Sequence, residues 1–286
     1  MFKVYQKSVV SGTFPSAWKT AKVTCIHKKG SKKKCTNYRP ISLLSIPSKV
    51  IEHCICSMVK SHLESFSLLS DFQWGFRKQR STEELLLHMT ELWHQSLDED
   101  KTTVVLFIDF QKAFDSVSHV ILMKKLSASG ISGELHEYIQ SYLENRKQYT
   151  VINQTKSENV KVEYGVPQGS LIGPDLFSLN VNDMPEQAQE DGELDLFADD
   201  STAMETGGSI DEAIHKMVST AETIGDHASK NSLTIHLDKC KIMIISKKKF
   251  IGPLPQVTIN GKHVEVVNSG KSVSYTHLTL PTIYSV

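Results

Sequence analysis

The sequence predicts a folded protein of the α+β class, and three observations support this prediction. Apolar residues make up 40% and charged residues 22% of the 286 residues, which is ordinary for a globular chain. Residues 46–66 carry apolar side chains at helical spacing, whereas residues 102–110 form a short β-branched run typical of a buried strand. Helical and strand patterns follow one another without the regular alternation of a doubly wound sheet, so an α+β fold is favoured.

The individual elements follow from periodicity and from signals at their ends. One helix begins with a capping-box pair, in which Ser81 is followed three residues later by Glu84. Two acids, Asp199 and Asp200, interrupt an apolar hairpin, and both are expected in its turn. Helices are predicted at 46–66, from about 82, at 119–128, at 134–145, after the Gly/Pro-rich segment 165–174, and at 210–224. Strands are predicted at 102–110, 148–151, 160–164, 194–197, 202–204, 242–245 and 257–259, with 153–159 as a polar connection.

Several classes of protein do not fit the sequence. Its apolar runs stay below the roughly 18 residues that a membrane span needs, and no signal-peptide core follows the first basic residues. The five cysteines contain no C-x-x-C pair, which argues against a disulfide framework or a structural zinc site and suits a reducing compartment. The glycines form neither of the two common phosphate-binding loops.

The charge is distributed unevenly along a chain whose formal net charge is +0. Residues 1–82 carry 15 Lys and Arg against three acids, and residues 83–286 carry 17 against 29. A basic N-terminal third on a neutral protein indicates a polyanionic partner such as nucleic acid or nucleotide phosphates. The alternative is a solvated basic surface without a partner.

Three carboxylates are the candidate catalytic groups. Asp109 closes an apolar strand, and Asp199 and Asp200 lie side by side in an apolar hairpin. Carboxylates at the ends of buried strands are costly unless a cation or hydrogen bonds compensate them, and clustered carboxylates suit Mg²⁺. The alternative is local turn chemistry, and Asp115 has a similar alternative as a cap for the helix that begins near Ser118.

Seven segments in a fixed order make the chain resemble the reverse transcriptases of non-LTR retrotransposons, especially the jockey-like elements. The resemblance runs from about residue 7 to about residue 268. The segments are FPSAWKTAKVTCIHKKG (14–30), NYRPISLLS (37–45), QWGFRKQRST (73–82), FIDFQKAFDSVSH (107–119), GVPQGSLIGP (165–174), LFADDST (196–202) and NSLTIHLDKCKIM (231–243). A reverse transcriptase of another lineage, such as a group II intron type, is the alternative within this class.

The resemblance implies the fold and the reaction of a right-hand polymerase. Fingers are expected over 1–100 with contributions from about 120–165, and a palm, an antiparallel sheet backed by helices, over 101–268. The implied activity is RNA-directed DNA synthesis with two Mg²⁺, Mn²⁺ being the alternative ion. The implied partners are an RNA template, a DNA primer and deoxynucleoside triphosphates, without a membrane, and a nuclear location is expected by family analogy.

The resemblance also implies the residues that bind metal and transfer protons. Asp109 matches the first metal-binding aspartate, and Asp199 and Asp200 match the paired aspartates of the palm hairpin. Of this pair, Asp199 is expected to be the direct ligand and Asp200 the more peripheral one. Lys239 matches a lysine that protonates the leaving pyrophosphate, with surface charge as the alternative.

Further positions are implied to contact nucleotide and template. Phe114 matches the bulky residue that excludes a 2′-hydroxyl, with a core aromatic side chain as the alternative. Gly169 lets the backbone approach the nucleotide closely, while Arg39 and one of the two lysines grip the triphosphate. The nucleotide-binding set is Lys28, Lys29, Arg39, Phe114, Gln168 and Gly169, and the template set is Arg77, Lys78 and Arg80. A solvated basic loop is the alternative for the template set.

The sequence departs from the family pattern in two places. His227, His236, Cys240 and Asp175 replace an aromatic residue, an asparagine, a threonine and an apolar residue, and the histidines are expected to be structural. The tail 269–286 has no counterpart in the motifs, so it is expected to be foreign or frame-altered, with the thumb absent and the upstream endonuclease missing. An inactive nucleic-acid-binding remnant is therefore the alternative function.

Overall fold

The computed structural model describes residues 1–190, 192–248 and 256–267, together with the backbone of two short paired strands, Ser269–Lys271 and Thr279–Pro281. The chain forms two compact units, each assembled from two stretches. The first unit comprises Met1–Leu69 and Phe114–Asn180, and the second comprises Ser70–Ala113 and Val181–Val286. Most of the tail from residue 269 lies outside the described residues, so its foreign origin stays a prediction, as do the predicted limits of fingers and palm.

The first unit is built on a five-stranded sheet of order β2-β1-β4-β5, with β6 also paired to β4. The β1 and β4 strands are parallel, and the other pairs are antiparallel. The strands are β1 (Thr20–His27), β2 (Tyr38–Leu43), β4 (Arg146–Ile152), β5 (Thr155–Lys156) and β6 (Val160–Val162). Its helices are α1 (Phe2–Val10), α2 (Ile46–Ser65), α5 (His119–Ala128) and α6 (Gly133–Leu143). Two further helices, α4 (Ala113–Ser116) and α7 (Gly173–Val181), lie where the chain passes between units.

An aromatic cluster anchors the N-terminal segment within the first unit. Phe14 is only 1% exposed and lies edge-on to Trp18, Tyr138 and Tyr142, with ring centroids 5.0–6.0 Å apart. Aromatic rings bury a large apolar area and favour edge-to-face packing. The FPSAW segment therefore joins the start of the chain to helix α6.

The second unit contains a six-stranded sheet of order β10-β11-β9-β3-β8-β7. All pairs are antiparallel except β9 with β11. The strands are β3 (Thr102–Asp109), β7 (Glu193–Phe197), β8 (Asp200–Gly207), β9 (Lys241–Ile245), β10 (Val257–Ile259) and β11 (Lys262–Val267). Its long helices are α3 (Thr82–Asp98) and α8 (Ile210–Lys230). An antiparallel sheet backed by helices agrees with the predicted palm.

Strand β3 is covered on both faces, which explains its uninterrupted apolar sequence. Val105 belongs to a cluster with Met89 and Trp93 of α3. Helix α8 packs against β3 and β8 and buries its own apolar stripe, in which Met217 and Ile224 are completely inaccessible to solvent. The strand that ends in Asp109 is thus held at the centre of the unit.

Most elements predicted from the sequence are confirmed, and the differences are local. Helix α1 and strands β1 and β2 were not expected, because most of their residues are exposed and they carry no sustained apolar pattern. The polar connection 153–159 contains the short strand β5, which follows a turn where Asn153 and Gln154 have positive φ angles. Within the described residues, we found no helix with the length and hydropathy of a membrane span.

Serine N-caps begin the long helices, and their contribution is testable in the first unit. The Ser45 hydroxyl accepts a hydrogen bond from the Ser48 amide at 3.3 Å, whereas Ser132, the N-cap of α6, has no such side-chain bond. Ser45→Ala should lower the free energy of unfolding by about 1 kcal/mol, because an amide at the helix start loses its acceptor. Ser132→Ala is the matched control and should change it by less than about 0.5 kcal/mol in urea titrations. Equal losses in both variants would contradict this assignment.

Candidate active site

Two of the predicted acids lie directly opposite each other in the second unit. Strands β3 and β8 pair over their full lengths, and Asp109 at the end of β3 pairs with Asp200 at the start of β8. Directly opposed residues have Cβ atoms about 4.5–5.5 Å apart and project from the same face of the sheet. The structure therefore brings together two carboxylates separated by 91 positions in sequence (200 − 109).

The third acid lies in the tight turn between β7 and β8. Phe197 pairs with Asp200, so Ala198 and Asp199 form a two-residue hairpin loop. Ala198 has φ +59°, a left-handed conformation that is unfavourable for a residue with a Cβ atom. The expectation that both acids occupy the turn was wrong for Asp200, because this residue already pairs in the β8 ladder. Asp199 is exposed and Asp200 is partly buried.

A lysine lies against the first acid. Lys239 Nζ donates to Asp109 Oδ1 at 2.9 Å, and the two side chains are 56% and 43% exposed. The chain around it is held by backbone bonds, since the His236 amide donates to the Asp109 carbonyl at 2.7 Å. The segment after α8 therefore pairs with the end of β3 and carries Lys239 to the carboxylate. Burial raises the pKa of the neighbouring Cys240 thiol, so that thiol adds no charge beside the pair.

A glycine outside the predicted site supports the hairpin turn. The Trp74 amide donates to the Leu196 carbonyl at 2.8 Å, which fixes this segment along strand β7. At Gly75, a Cβ atom would lie 2.4 Å from the Ala198 amide nitrogen and 3.1 Å from the Phe197 carbonyl carbon. Both are backbone atoms that cannot rotate away. Only glycine therefore fits beneath the turn that carries Asp199.

In the first unit, the loop with Gln168 and Gly169 packs against strand β2. The Ser42 amide donates to the Gln168 carbonyl at 2.8 Å, and Gln168 Nε2 donates to Asp115 Oδ1 at 3.1 Å. Gly169 has φ +104°, and a Cβ atom there would lie 2.9 Å from the Ser42 carbonyl oxygen. The backbone conformation thus requires glycine at this position.

Phe114 is partly buried and stacks on a buried aromatic ring of the same unit. Its ring lies 4.5 Å from that of Phe177, with an interplanar angle of 19°. The Phe114 carbonyl accepts from the Val166 amide at 2.8 Å, so the chain around this ring contacts the loop that carries Gln168. Asp115 does not cap the next helix, because the Ser118 hydroxyl faces the Ile121 amide at 3.5 Å.

The predicted triphosphate-binding cations lie on the hairpin of β1 and β2. Lys28 and Lys29 are exposed in the connecting loop 28–37, which contains five lysines. The loop is closed by a bond from the Lys28 amide to the Asn37 carbonyl at 2.8 Å. Arg39 is exposed on β2 and pairs with Ile26 of β1. The hairpin therefore presents a cluster of positive charge at its tip.

The three predicted template-binding cations have different surroundings in the second unit. Arg77 Nη1 donates to the Ser70 carbonyl at 2.8 Å. The Arg80 guanidinium lies 4.4 Å above the Trp74 ring and 3.7 Å from Asp71 Oδ1. Lys78 extends into solvent. The two arginines thus hold this segment in place, whereas Lys78 is the cation most available to an external phosphate.

Comparison with known proteins assigns this arrangement to a family. Residues 26–275 match the family model described as reverse transcriptase (RNA-dependent DNA polymerase). The chain belongs to the reverse transcriptase family. Because the match includes the three acids and Lys239, the family assignment and the geometry of the second unit concern the same residues.

Relatives with curated descriptions include reverse transcriptases of insect mobile elements. The chain is 29% identical over 276 residues to the RNA-directed DNA polymerase from mobile element jockey of Drosophila melanogaster, covering 94% of this chain and 30% of that protein. It is 32% identical over 257 residues to the jockey protein of Drosophila funebris, covering 87% and 28% of the two chains. The chain thus spans about 30% of the length of these relatives.

Solved structures support the reverse transcriptase fold. A structure of apo telomerase from Candida tropicalis, truncated from its C-terminal domain, matches with a TM-score of 0.60 at 12% identity, covering 88% of this chain and 54% of that one. Telomerase from Candida albicans in complex with a telomeric RNA fragment matches with a TM-score of 0.57 at 13% identity, covering 92% and 48%. The likeness at this identity concerns the fold alone.

Reverse transcriptase domains use divalent metal ions and an RNA template, and the donor set fits such an ion. Asp109, Asp199 and Asp200 offer carboxylate oxygens, the ligands that a hard cation such as Mg²⁺ prefers. Asp109 is 43% exposed and Asp199 lies on the surface, which leaves room for water and substrate oxygens. The register sets Asp109 opposite Asp200, next to Asp199 in the chain, and these three acids outnumber the one lysine in contact with Asp109, an excess of negative charge that a cation would balance.

The residues that depart from the family pattern have structural partners. His227 Nε2 lies 3.3 Å from Asp183 Oδ1, and the His236 amide binds the Asp109 carbonyl. Asp175 is buried and accepts from Cys56 Sγ at 2.9 Å. Burial raises the pKa of the Cys56 thiol to about 12 and also raises that of Asp175. The replacement at Asp175 therefore creates a polar contact with helix α2.

Sequence reasoning missed Gly75 and the polar residues that surround Trp74. Trp74 and Gly75 come two to three residues before Arg77, and the sequence prediction for this segment rested on its basic residues alone. A glycine beside a buried tryptophan in a motif is a signal for close backbone approach. The buried acid Asp195, at alternate spacing within the apolar strand β7, was a second signal.

The contact beneath the turn generates a testable prediction. Gly75→Ala should lower the free energy of unfolding by about 1–3 kcal/mol, because its Cβ atom would overlap the backbone at Ala198. Urea titration measures this loss.

A second glycine provides the control. At Gly225 in helix α8, a Cβ atom would have the Asn260 side chain as its nearest contact, at 3.4 Å. Gly225→Ala should stabilise the unit by about 0.5–1 kcal/mol through helix propensity. A free energy of unfolding that is unchanged or raised in Gly75→Ala would contradict the support of the turn.

Proposed function

We propose that this chain catalyses RNA-directed DNA synthesis, adding deoxynucleotides to the 3′-hydroxyl of a primer on an RNA template. The observation that carries the proposal is the β3–β8 register, which sets Asp109 opposite Asp200 beside the turn with Asp199. Membership of the reverse transcriptase family supports RNA as the template and DNA as the product. The deoxynucleoside triphosphates, the primer and the whole activity are parts of this proposal.

The three acids are proposed to hold two Mg²⁺ ions, with Mn²⁺ as an alternative. Asp109 and Asp199 are the direct ligands in this proposal, and Asp200 is the more peripheral one. Bound ions of this kind neutralise the triphosphate and stabilise the attacking and leaving oxygens of an in-line displacement. The chain contributes the position of the carboxylates, because the ladder and the turn fix where each one projects.

Lys239 is proposed to act as the general acid for the leaving group. Its ammonium can give a proton from Nζ to the leaving pyrophosphate as the bond between the α-phosphorus and the bridging oxygen breaks. The 2.9 Å contact of Nζ with Asp109 Oδ1 supports this role, because the ammonium lies beside one of the proposed metal ligands.

The residues of the first unit are proposed to bind the incoming nucleotide. Arg39 and either Lys28 or Lys29 would contact the triphosphate, since a guanidinium fork and an ammonium both suit phosphate oxygens. Phe114 would exclude a 2′-hydroxyl, and its stacking on Phe177 supports this role because the ring is held in a fixed orientation. The loop at Gln168 and Gly169 would lie against the sugar and base.

The template contacts, the domain limits and the location are also parts of the proposal. Lys78 is the leading template contact of the basic segment, because it extends into solvent while Arg77 and Arg80 bind within the unit. Phosphate contacts of this kind position a strand without reading its sequence. Fingers at 1–100 with contributions from about 120–165, a palm at 101–268 and a nuclear location remain proposals from family likeness.

The metal-binding role of the turn acid is directly testable. Asp199→Asn should reduce primer extension on an RNA template by about 100-fold or more with Mg²⁺, because loss of a carboxylate ligand removes several kcal/mol of charge stabilisation. Extension is measured with a labelled DNA primer and the four deoxynucleoside triphosphates. Asp226→Asn, an exposed acid on α8, is the matched control and should keep full activity.

Two results would count against the proposal. Equal extension by Asp199→Asn and the unchanged chain would reject the metal assignment. Tight binding of the primer–template duplex by the unchanged chain, without extension in Mg²⁺ or Mn²⁺, would favour a nucleic-acid-binding role.

The proposed sugar selection gives a second prediction. Phe114→Val should raise incorporation of ribonucleotides relative to deoxynucleotides at least about tenfold, because a smaller side chain leaves room for the 2′-hydroxyl. Phe114→Tyr keeps the ring and should retain the original preference. The measurement is the ratio of kcat/KM values for matched ribo- and deoxynucleoside triphosphates. An unchanged ratio in Phe114→Val would contradict the role of this ring.

A further inference from the structure

A second cluster of polar side chains lies in the second unit, apart from the three acids. It joins helix α3, which carries His88, to the edge strand β7, which carries Glu193 and Asp195. One ligand atom from each side chain lies within 4.8 Å of the other two. Glu193 and Asp195 are two positions apart on one strand, so they project from the same face. His88 Nε2 is in direct contact with Glu193 Oε1.

Asp195 is the unusual member of this cluster, because it is a nearly inaccessible carboxylate with one unsatisfied oxygen. Its exposed fraction is 1%. Oδ1 accepts from Trp74 Nε1 at 2.7 Å, whereas Oδ2 is buried without a hydrogen-bond partner among the described residues. Burial, followed by the negative charge of Glu193, raises the pKa of Asp195 far above its usual range. An ionised carboxylate in this position calls for a compensating positive group.

The positive groups near the cluster do not satisfy Oδ2. His88 is engaged with Glu193, and the Arg80 guanidinium lies over the Trp74 ring, 4.4 Å from its centroid. The cluster therefore contains two carboxylates and one imidazole, and Asp195 Oδ2 is the oxygen without a hydrogen-bond partner among the described residues. Either a proton shared by Glu193 and Asp195 or a bound cation can resolve this excess.

We propose that His88, Glu193 and Asp195 form a binding site for a Zn²⁺-class transition-metal ion. An imidazole nitrogen with two carboxylate oxygens is a mixed donor set that suits Zn²⁺ and related ions, whereas Mg²⁺ favours oxygen ligands alone. The His88 and Glu193 side chains are 32% and 17% exposed, which leaves an opening for water as a further ligand.

The surroundings of the cluster supply the support that a metal site needs. Trp74 donates to Asp195, and its ring packs at 5.3 Å from the His88 ring, so one side chain orients two of the three ligands. A bound ion would tie helix α3 to strand β7, the strand that leads into the Asp199 turn. The ion at this site would hold two elements of the unit together, and its binding does not require the proposed polymerase activity.

Calorimetric titration of the metal-free full chain with Zn²⁺ tests the proposal. The chain should bind one equivalent at the cluster, and both His88→Gln and Asp195→Asn should weaken this binding at least tenfold. His94→Gln, which removes an exposed histidine of the same helix, is the matched control and should bind as the unchanged chain does. Asp109→Asn should leave this equivalent in place even where it alters Zn²⁺ binding at the three acids, which separates the two sites.

Thermal melting and fluorescence guard against misfolded variants. Zn²⁺ should raise the melting temperature of the unchanged chain and of His94→Gln, and this rise should be absent in His88→Gln and Asp195→Asn. Co²⁺ should quench tryptophan emission in the unchanged chain, because the Trp74 ring adjoins His88. The absence of stoichiometric binding, or equal Zn²⁺ affinity in His88→Gln, would overturn the proposal and favour the shared proton.

Discussion

The position of the acids depends on one backbone ladder, the antiparallel pairing of β3 with β8. Asp109 faces Asp200 because every residue of β3 from Thr102 onward has a partner in β8. A slip of one residue would turn the side chains of β3 to the opposite face. Val105 contacts the apolar face of α3, while helix α8 covers the other side of the strand, so such a slip would misplace both cores. Hydrophobic burial on two faces therefore fixes the alignment of charged groups at the strand end.

The same ladder explains how an apolar sheet tolerates a cluster of like charges. The carboxylates lie at strand ends and in a turn, where solvent reaches them, rather than within the buried part of the sheet. Lys239 balances part of the charge through its contact with Asp109, and Gly75 allows the chain to pass close beneath the turn. The second unit thus combines a buried apolar centre with negatively charged, solvent-accessible strand ends.

The sequence predicted the central strands, the long helices and the three acids, because each has a strong local signal. A two-sided apolar run, helical spacing and the ordered motifs around Asp109 and Asp199 are all visible without coordinates. Contacts between distant segments were not predictable in the same way. The approach of Gly75 to Ala198 depends on the path of the chain beside β7, and the exact start of β8 at Asp200 depends on the turn. Strands β1 and β2 were missed because they are largely exposed, with only Ala21 and Val23 buried, and so have no sustained apolar alternation.

The acids are anchored unequally, so each depends on a different part of the unit. Asp109 ends a strand that is paired on both sides up to Phe107 and covered on both faces. Asp199 is the exposed residue of a two-residue loop, which depends on the closing pair of Phe197 with Asp200 and on Gly75 beneath the turn. A substitution in the core and a substitution beside the hairpin would therefore disturb different members of the proposed ligand set.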